Sequence, residues 1–397
     1  MATPHLTILP DNPDFLELPW DQPLATWEVD NIVEMPRGVH RHVVRFVSYG
    51  QAVYAIKELP LAFARNEFAA LRELQNREAS VVEVAGIVER SWVDPTEEWS
   101  AAVITRYLDF AFSYRELISG TGFGKRRDHL LDGFAGLLVE LHLLGCYWGD
   151  CSLSNVLYRY DAAALDITMV DAETTELHDR LSRGQRQSDL EIMILNVAGG
   201  MADIAAQQGI ELDDADLHLG EDIARRYGLL WDVLTQEILL GPEEGYRIAD
   251  HVATVNNLGF QVGEVDLVPV DGGRQLRLKV EVGGRFFHRD RLAQLTGIRA
   301  SKGQARQILS DLHYFEAKSA DTAVNKSVQA MRWRVDVFEP LLRRIRREIG
   351  PSGDVLQKYC DFLHHRYLMA SGRGSDVSNE VAFDDWLAHD MPGPKPG

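Results

Sequence analysis

The chain of 397 residues is too long for one small core, and its length favours two or three domains. Its 41 Lys and Arg stand against 60 Asp and Glu, a formal charge of -19, which argues against broad non-specific adhesion to nucleic acid or anionic membrane. Cys146, Cys151 and Cys360 share no metal-type spacing and form no disulfide framework. The start "MATPHLTILPDNPDFLELPW" lacks the basic opening and apolar core of a secretory signal, and no run nears the roughly 18 apolar residues that span a bilayer. A cytoplasmic protein without a membrane span is expected.

In chain order, residues 1–35 form a proline-rich arm whose Leu16, Leu18, Trp20, Leu24 and Trp27 need a surface to cover. "VHRHVVRFVSYGQAVYAIKEL" (39–59) gives two β-runs broken at Ser48-Tyr49-Gly50-Gln51, with Lys57 near the end of the second. In "LAFARNEFAALRELQNR" (61–77), Leu61, Ala64, Phe68, Leu71 and Leu74 mark one helix face. Glu67 shares that face and points inward, whereas Glu73 lies among Asn66, Ala70 and Arg77. "VVEVAGIVE" and "SAAVITRYL" read as strands, followed by a loop with Gly120, Gly122 and Gly124. A helix over 128–144 carries a wide apolar stripe and stops at Gly145. Trp148-Gly149-Asp150 and two short strands, "NVLYRY" and "DITMVDAE", come next, and 186–240 is mostly helical in pattern. Past "GPEEG" (241–245) lie a helix over about 246–258, a hairpin around Asp271-Gly272-Gly273, a helical pair and further helices over about 323–368. The tail from 371 is expected to be loose apart from the neighbourhood of Trp386.

Phosphoryl transfer from a nucleotide needs a cation on the phosphates, metal ligands and a group that orients the acceptor hydroxyl. Lys57 ends "YAIK", Glu67 faces inward on the next helix, Asp150 and Asn155 share "GDCSLSN" (149–155), and Asp171 ends "TMVD". This order and spacing is that of protein kinases. It assigns Lys57 to the α/β-phosphates, Glu67 to holding Lys57, Asp171 and Asn155 to Mg2+, and Asp150 to deprotonating the acceptor, with ATP and Mg2+ as cofactors. The heptapeptide alone is a common pattern; its company is what gives it weight.

With those residues in place, the segment from about 36 to 200 resembles the kinase-like superfamily of lipopolysaccharide core (Kdo/heptose) kinases, aminoglycoside phosphotransferases and RIO-type kinases. Their loops read HGDxxxxN followed by IDxE or IDFD. "YWGDCSLSN", "VDAETTELH", "VAGG" and "LTG" with the later "QAR" are similar to a bacterial family of kinase-like proteins, over most of the chain. The resemblance implies an α+β, bilobal protein-kinase-like fold with a mixed α/β and helical C-terminal extension. Its N-lobe would occupy 36–107 and its C-lobe 108–240, followed by a small α/β accessory domain at 241–320 and a helical segment with a loose tail at 321–397. It also implies an adenine-binding hinge at Ile104, Thr105, Arg106 and Tyr107, and a phosphate-covering loop in "MPRGVHRHVV" (35–44), where Arg37 and Gly38 are the candidates and His40, Arg41 and His42 are either further phosphate contacts or an ordinary basic hairpin edge. Two departures matter. Trp148 stands where the superfamily has His, so an apolar wall near the acceptor is expected in place of a polar contact. The metal triplet is Asp171-Ala172-Glu173, which makes Glu173 a further candidate ligand.

The leading expectation is an Mg-ATP-dependent phosphotransferase acting on a hydroxyl of a small molecule, a sugar or a protein, the first two slightly favoured. Its alternatives are a nucleotide-binding pseudokinase scaffold and a nucleotidyl (AMP) transferase. Asp189 is expected to cap a helix or brace the catalytic loop, and Cys151 to be a small buried filler. "RDRLAQLTGIRASKGQARQILSDL" (289–312) has the form of a helix-turn-helix with Lys302, Gln304, Arg306 and Gln307 on its second helix, although the acidity of the chain counts against nucleic acid.

Overall fold

The computed structural model describes residues 3–35, 42–109, 111–117, 127–162, 164–241, 244–270, 275–318, 326–350 and 353–393. Two compact units emerge, one of residues 1–124, 134–158 and 167–231, the other of 125–133, 159–166 and 232–397.

In the first unit, β-branched and aromatic runs build an antiparallel sheet from β1 (His5–Ile8), β2 (Ile32–Val33), β3 (Val44–Tyr49), β4 (Ala52–Leu59), β5 (Val84–Glu89) and β6 (Ala101–Arg106), in the order β1-β5-β6-β4-β3-β2. The turn between β3 and β4 falls at Gly50, whose φ of 63° suits a residue without a Cβ. Alternation along β4 sends Tyr54 and Ile56 to one face and Ala55 and Lys57 to the other. The arm covers the first face: Phe15, Leu18, Trp20, Leu24 and Trp27 are buried against Val47, Tyr54, Ile56, Val88 and Ile104. Arg90 ties this layer down by pairing with Glu58 at 3.0 Å and donating to the carbonyls of Trp20 and Trp99. Against the other face lies α1 (Leu61–Asn76), which buries Ala64, Glu67, Ala70, Leu71 and Leu74, while Glu73 faces out and pairs with Arg77.

Downstream come α2 (Tyr114–Leu117) and α3 (Arg127–Leu143), the latter the expected apolar helix. Gly145 ends it at φ 78°; a Cβ there would sit 2.0 Å from the His178 carbonyl oxygen, so only glycine makes this turn. The chain then forms β7 (Cys146–Tyr147), a loop with a 3₁₀ turn at Leu153–Asn155, the hairpin β8 (Val156–Asp161) and β9 (Ala164–Met169), and β10 (Glu176–Leu177), which pairs with β7. A capping box of Ser182 and Gln185 opens α4 (Arg183–Gln208). Two further helices, α5 (Asp214–Leu217) and α6 (Leu219–Thr235), complete the region expected to be helical.

The second unit has a three-stranded sheet of β11 (Ile238–Leu240), β12 (Val262–Val270) and β13 (Gln275–Val282), in the order β11-β13-β12, with α7 (Tyr246–Asn257) before β12; β12 and β13 pair antiparallel, and the turn expected at Asp271-Gly272-Gly273 lies outside the described residues. Its helices are α8 (Phe287–Thr296), α9 (Lys302–Lys318), α10 (Lys326–Trp333), α11 (Glu339–Ile349), α12 (Val355–Arg373) and α13 (Asn379–Ala388). Leu292, Ile308, Leu312, Trp333, Phe338, Tyr359 and Phe362 form their core. The tail differs from the loose segment expected: Ser378 caps α13, and Phe383 and Trp386, three apart on one helix face, are buried against Phe362. Among the described residues no helix is long and apolar enough to cross a membrane.

Candidate active site

Four charged side chains from three separate places in the first unit meet at Lys57. Its ammonium lies 2.8 Å from Glu67 on α1, 3.1 Å from Asp171 after β9 and 3.6 Å from Glu173. Strand alternation aims Lys57 at this spot, and the place of Glu67 on the buried face of α1 brings it in from the helix. Burial works against the Lys57 ammonium, but the charges of Glu67 and Asp171 outweigh it and raise its pKa. Complete burial raises the Glu67 carboxyl, and Lys57 opposes that rise. With the Glu67 carboxyl raised to about 8, Asp171 and Glu173 are the two carboxylates whose charge exceeds that of the Lys57 ammonium, an arrangement that favours an added cation. Glu67, Asp171 and Glu173 each offer an oxygen within 4.8 Å of the others, a hard-oxygen set that suits Mg2+.

His42 extends the cluster outward. Its ring nitrogens lie 2.7 Å from Glu98 and 3.0 Å from Glu173, and the bond to Glu173 is the main cause of a raised imidazole pKa.

The loop at 149–155 is held from both sides. Asn155 donates its side-chain amide to the Asp150 carbonyl at 2.9 Å and to Asp150 Oδ2 at 3.1 Å, which leaves the Asn155 amide oxygen as its ligand atom. Asn196 on α4 donates to Asp150 Oδ1 at 2.9 Å, so both oxygens of the carboxylate are oriented. Asp189, fully buried on the same helix, accepts from the amides of Trp148 and Gly149, each at 2.7 Å. His142 stands behind it, 3.2 Å from Asp189 and 2.8 Å from the Tyr227 hydroxyl. Of its two expected roles, Asp189 takes that of loop brace. Burial pushes the Cys151 thiol well up, in keeping with a filler.

Trp148 differs from expectation. It forms no wall of the acceptor cleft: it is fully buried, stacks on Phe134 with ring centroids 6.3 Å apart, and donates its indole N–H to the Asp171 carbonyl at 2.9 Å. The polar contact to the metal segment is therefore present, supplied by an indole nitrogen.

Two clefts adjoin this constellation. A mostly apolar slot of about 130 Å³ runs from Lys57 and Asp171 past Ala55, Val103 and Val170 to Thr105 and Tyr107. The Tyr107 amide is engaged by the Val53 carbonyl at 2.8 Å, and its ring packs edge-on against Phe46. A polar cleft of about 400 Å³ opens at Asp150, Asn155 and Asp171 and is lined further by Arg115, Asn196 and Asp203. Arg37 and Gly38, the candidates for covering the phosphates, lie outside the described residues.

A strand lysine paired to a helix glutamate, a looped Asp and Asn, and a metal-type Asp thus converge as phosphoryl transfer requires. Residues 49–216 match the family model described as "Lipopolysaccharide kinase (Kdo/WaaP) family". This segment is a kinase-like phosphotransferase domain. It has the α+β kinase-like fold and is related to the lipopolysaccharide kinases. Residues 229–391 match a second model, "Domain of unknown function (DUF4032)". No curated protein matches the chain. Among solved structures, "WaaP in complex with acyl carrier protein" is similar at 17% identity with a TM-score of 0.35, over 57% of this chain and 87% of that one. "Crystal structure of aminoglycoside-3'-phosphotransferase of type VIII" is similar at 15% identity and 0.35, over 55% and 90%.

The structure brings Lys57, Glu67 and Asp171 together and Asp150 against Asn155; sequence reasoning missed Asn196 and named His42 only as a phosphate-contacting side chain, whereas its ring meets Glu98 and Glu173. Asn196 carried a signal: it lies seven residues after Asp189, two turns along the same face of α4.

Proposed function

We propose that the kinase-like domain transfers the γ-phosphoryl group of ATP to a hydroxyl of a small, hydroxyl-rich acceptor, with a sugar favoured. The observation that carries this reading is Lys57 at 2.8 Å from Glu67 and 3.1 Å from Asp171, on the same cleft as the doubly oriented Asp150. Lys57 binds phosphate oxygens, and Glu67 fixes its ammonium. Asp171, Glu173 and the Asn155 amide oxygen would hold Mg2+, which when bound neutralises charge on the phosphates. Thr105, Tyr107 and the apolar slot receive the adenine. The acceptor oxygen bonds to the γ-phosphorus as the bond to the ADP oxygen breaks, and the hydroxyl proton passes to Asp150. Asn155 and Asn196 keep that carboxylate turned toward the acceptor, and Trp148 anchors the backbone of Asp171. The polar lining of the 400 Å³ cleft supports a hydroxylated small molecule over an apolar one, and the name of the matching family points the same way.

The test is incubation of the full chain with Mg2+, a panel of sugars and small hydroxyl compounds, and ATP labelled at either the α or the γ position. Label from γ-labelled ATP on one acceptor, absent with Asp150→Asn, is expected. Label from the α position instead means nucleotidyl transfer, and nucleotide binding without turnover on any acceptor means a scaffold.

A further inference from the structure

The second unit contains a cleft of about 280 Å³ whose chemistry is opposite to that around Lys57. Arg285 and Arg306 line it, and in a chain with 60 acidic side chains neither has a carboxylate partner among the described residues. Arg285 is steadied by the Phe260 ring, 5.8 Å from its guanidinium carbon. Gly259, at φ 93°, brings backbone close beneath: a Cβ there would lie 3.6 Å from Arg285 and 3.7 Å from His288. His288 reports the local field. Burial lowers its pKa first, and the charges of Arg306, Arg285 and His313 lower it further.

The carboxylates of this cleft have partners of their own. Asp161 accepts from the Ser301 hydroxyl and from the amides of Gly303 and Gln304 at 2.5–2.7 Å, so it already serves the N-terminus of α9. Asp166 faces Arg159 at 3.5 Å, and Asp132, like Lys302 and Arg289, has interactions of its own.

This cleft also disposes of the helix-turn-helix reading. Two of the four side chains expected to face a DNA groove turn into the protein: Gln304 is buried, and Gln307 donates to the Cys360 carbonyl at 2.9 Å. The other two, Lys302 and Arg306, face the concave cleft, whose size fits a phosphate ester and not the edge of a duplex.

We infer that this cleft binds the phosphate group of a small phosphorylated molecule, with Arg285 and Arg306 as the cationic clamp. Guanidinium groups match the oxygens of a phosphate by paired N–H bonds, and among the described residues no acid is paired with either of them.

Calorimetric titration of the full chain with inorganic phosphate, and separately with ribose 5-phosphate, tests this. Binding is expected in the native protein and in Lys57→Met, weakened about tenfold by Arg306→Gln and more by the double variant with Arg285→Gln. Arg306→Gln is the decisive variant because, unlike Arg285, Arg306 packs on no ring; an unchanged melting temperature without ligand checks its folding. Absence of binding, an affinity unchanged in Arg306→Gln and the double variant, or loss of binding in Lys57→Met overturns the proposal. So does preferential, steeply salt-dependent binding of duplex DNA through the same arginines.

Discussion

Around Lys57 a single ammonium faces three carboxylates, whereas in the 280 Å³ cleft of the second unit two guanidinium groups face no free carboxylate among the described residues. The same acidic chain thus builds one site suited to a cation and another suited to an anion. A net charge of -19 says how the protein behaves as a colloid; it does not say which sign of ligand any one cleft will take. Chemistry follows the local balance, set by which side chains the fold brings within a few ångströms.

The largest effect that would sharpen this contrast lies in the Lys57 cluster and its loop. Asp150→Asn and Asp171→Asn are expected to lower γ-phosphoryl transfer by about 10²- to 10⁴-fold. Asp171→Asn should also weaken nucleotide binding in Mg2+, whereas Asp150→Asn should leave it intact. Near-native turnover in either variant breaks the reading of the first cleft. Next comes Asp189→Ala, which strands the buried amides of Trp148 and Gly149 and should cost about 3 kcal/mol, measured by urea denaturation. Asn196→Ala frees one oxygen of Asp150 and should reduce kcat about tenfold while leaving the KM for ATP unchanged.

A smaller, pH-linked effect is expected at His142. Burial lowers its pKa and Asp189 only partly restores it, so the folded state holds the neutral ring. Its contribution to stability is full above the ordinary value of 6.5 and is lost as pH falls through the folded value. Melting temperature should therefore drop below pH 6.5, less steeply in His142→Asn. The smallest effect separates enclosed charge from surface charge: Arg65 pairs with Glu89 at 2.7 Å but is mostly exposed, and Arg65→Ala should leave the melting temperature unchanged.

Much of the active site could be read along the chain. Lys57 stands out at the end of a β-run, Glu67 on a helix face, Asp150 and Asn155 by their five-residue separation, and Asp171 at the end of an apolar run. Each of these signals is local, and each residue's direction follows from its own element. Asn196 and His42 act across 40 residues or more, and their local sequence does not name the carboxylates they meet. Trp148 shows the limit most clearly. Its identity suggested an apolar wall, yet its one N–H group reaches the Asp171 carbonyl and keeps a polar contact that the residue type had been taken to remove.

The amino-acid order was enough to read most of the strands and helices, though not α13, and to pick out Lys57, Glu67, Asp150, Asn155 and Asp171 as a candidate set, because periodicities of two and 3.6 residues bind each side chain to a face. Beyond the pairing of Lys57 with Glu67, it could not specify which charges would meet. That Lys57 faces three carboxylates, that Asp161 is taken up by the amides of α9, and that Arg285 and Arg306 are left to one cleft are outcomes of packing between distant segments. Electrostatic energy depends on separation in space and on burial, and only the folded chain sets either of them.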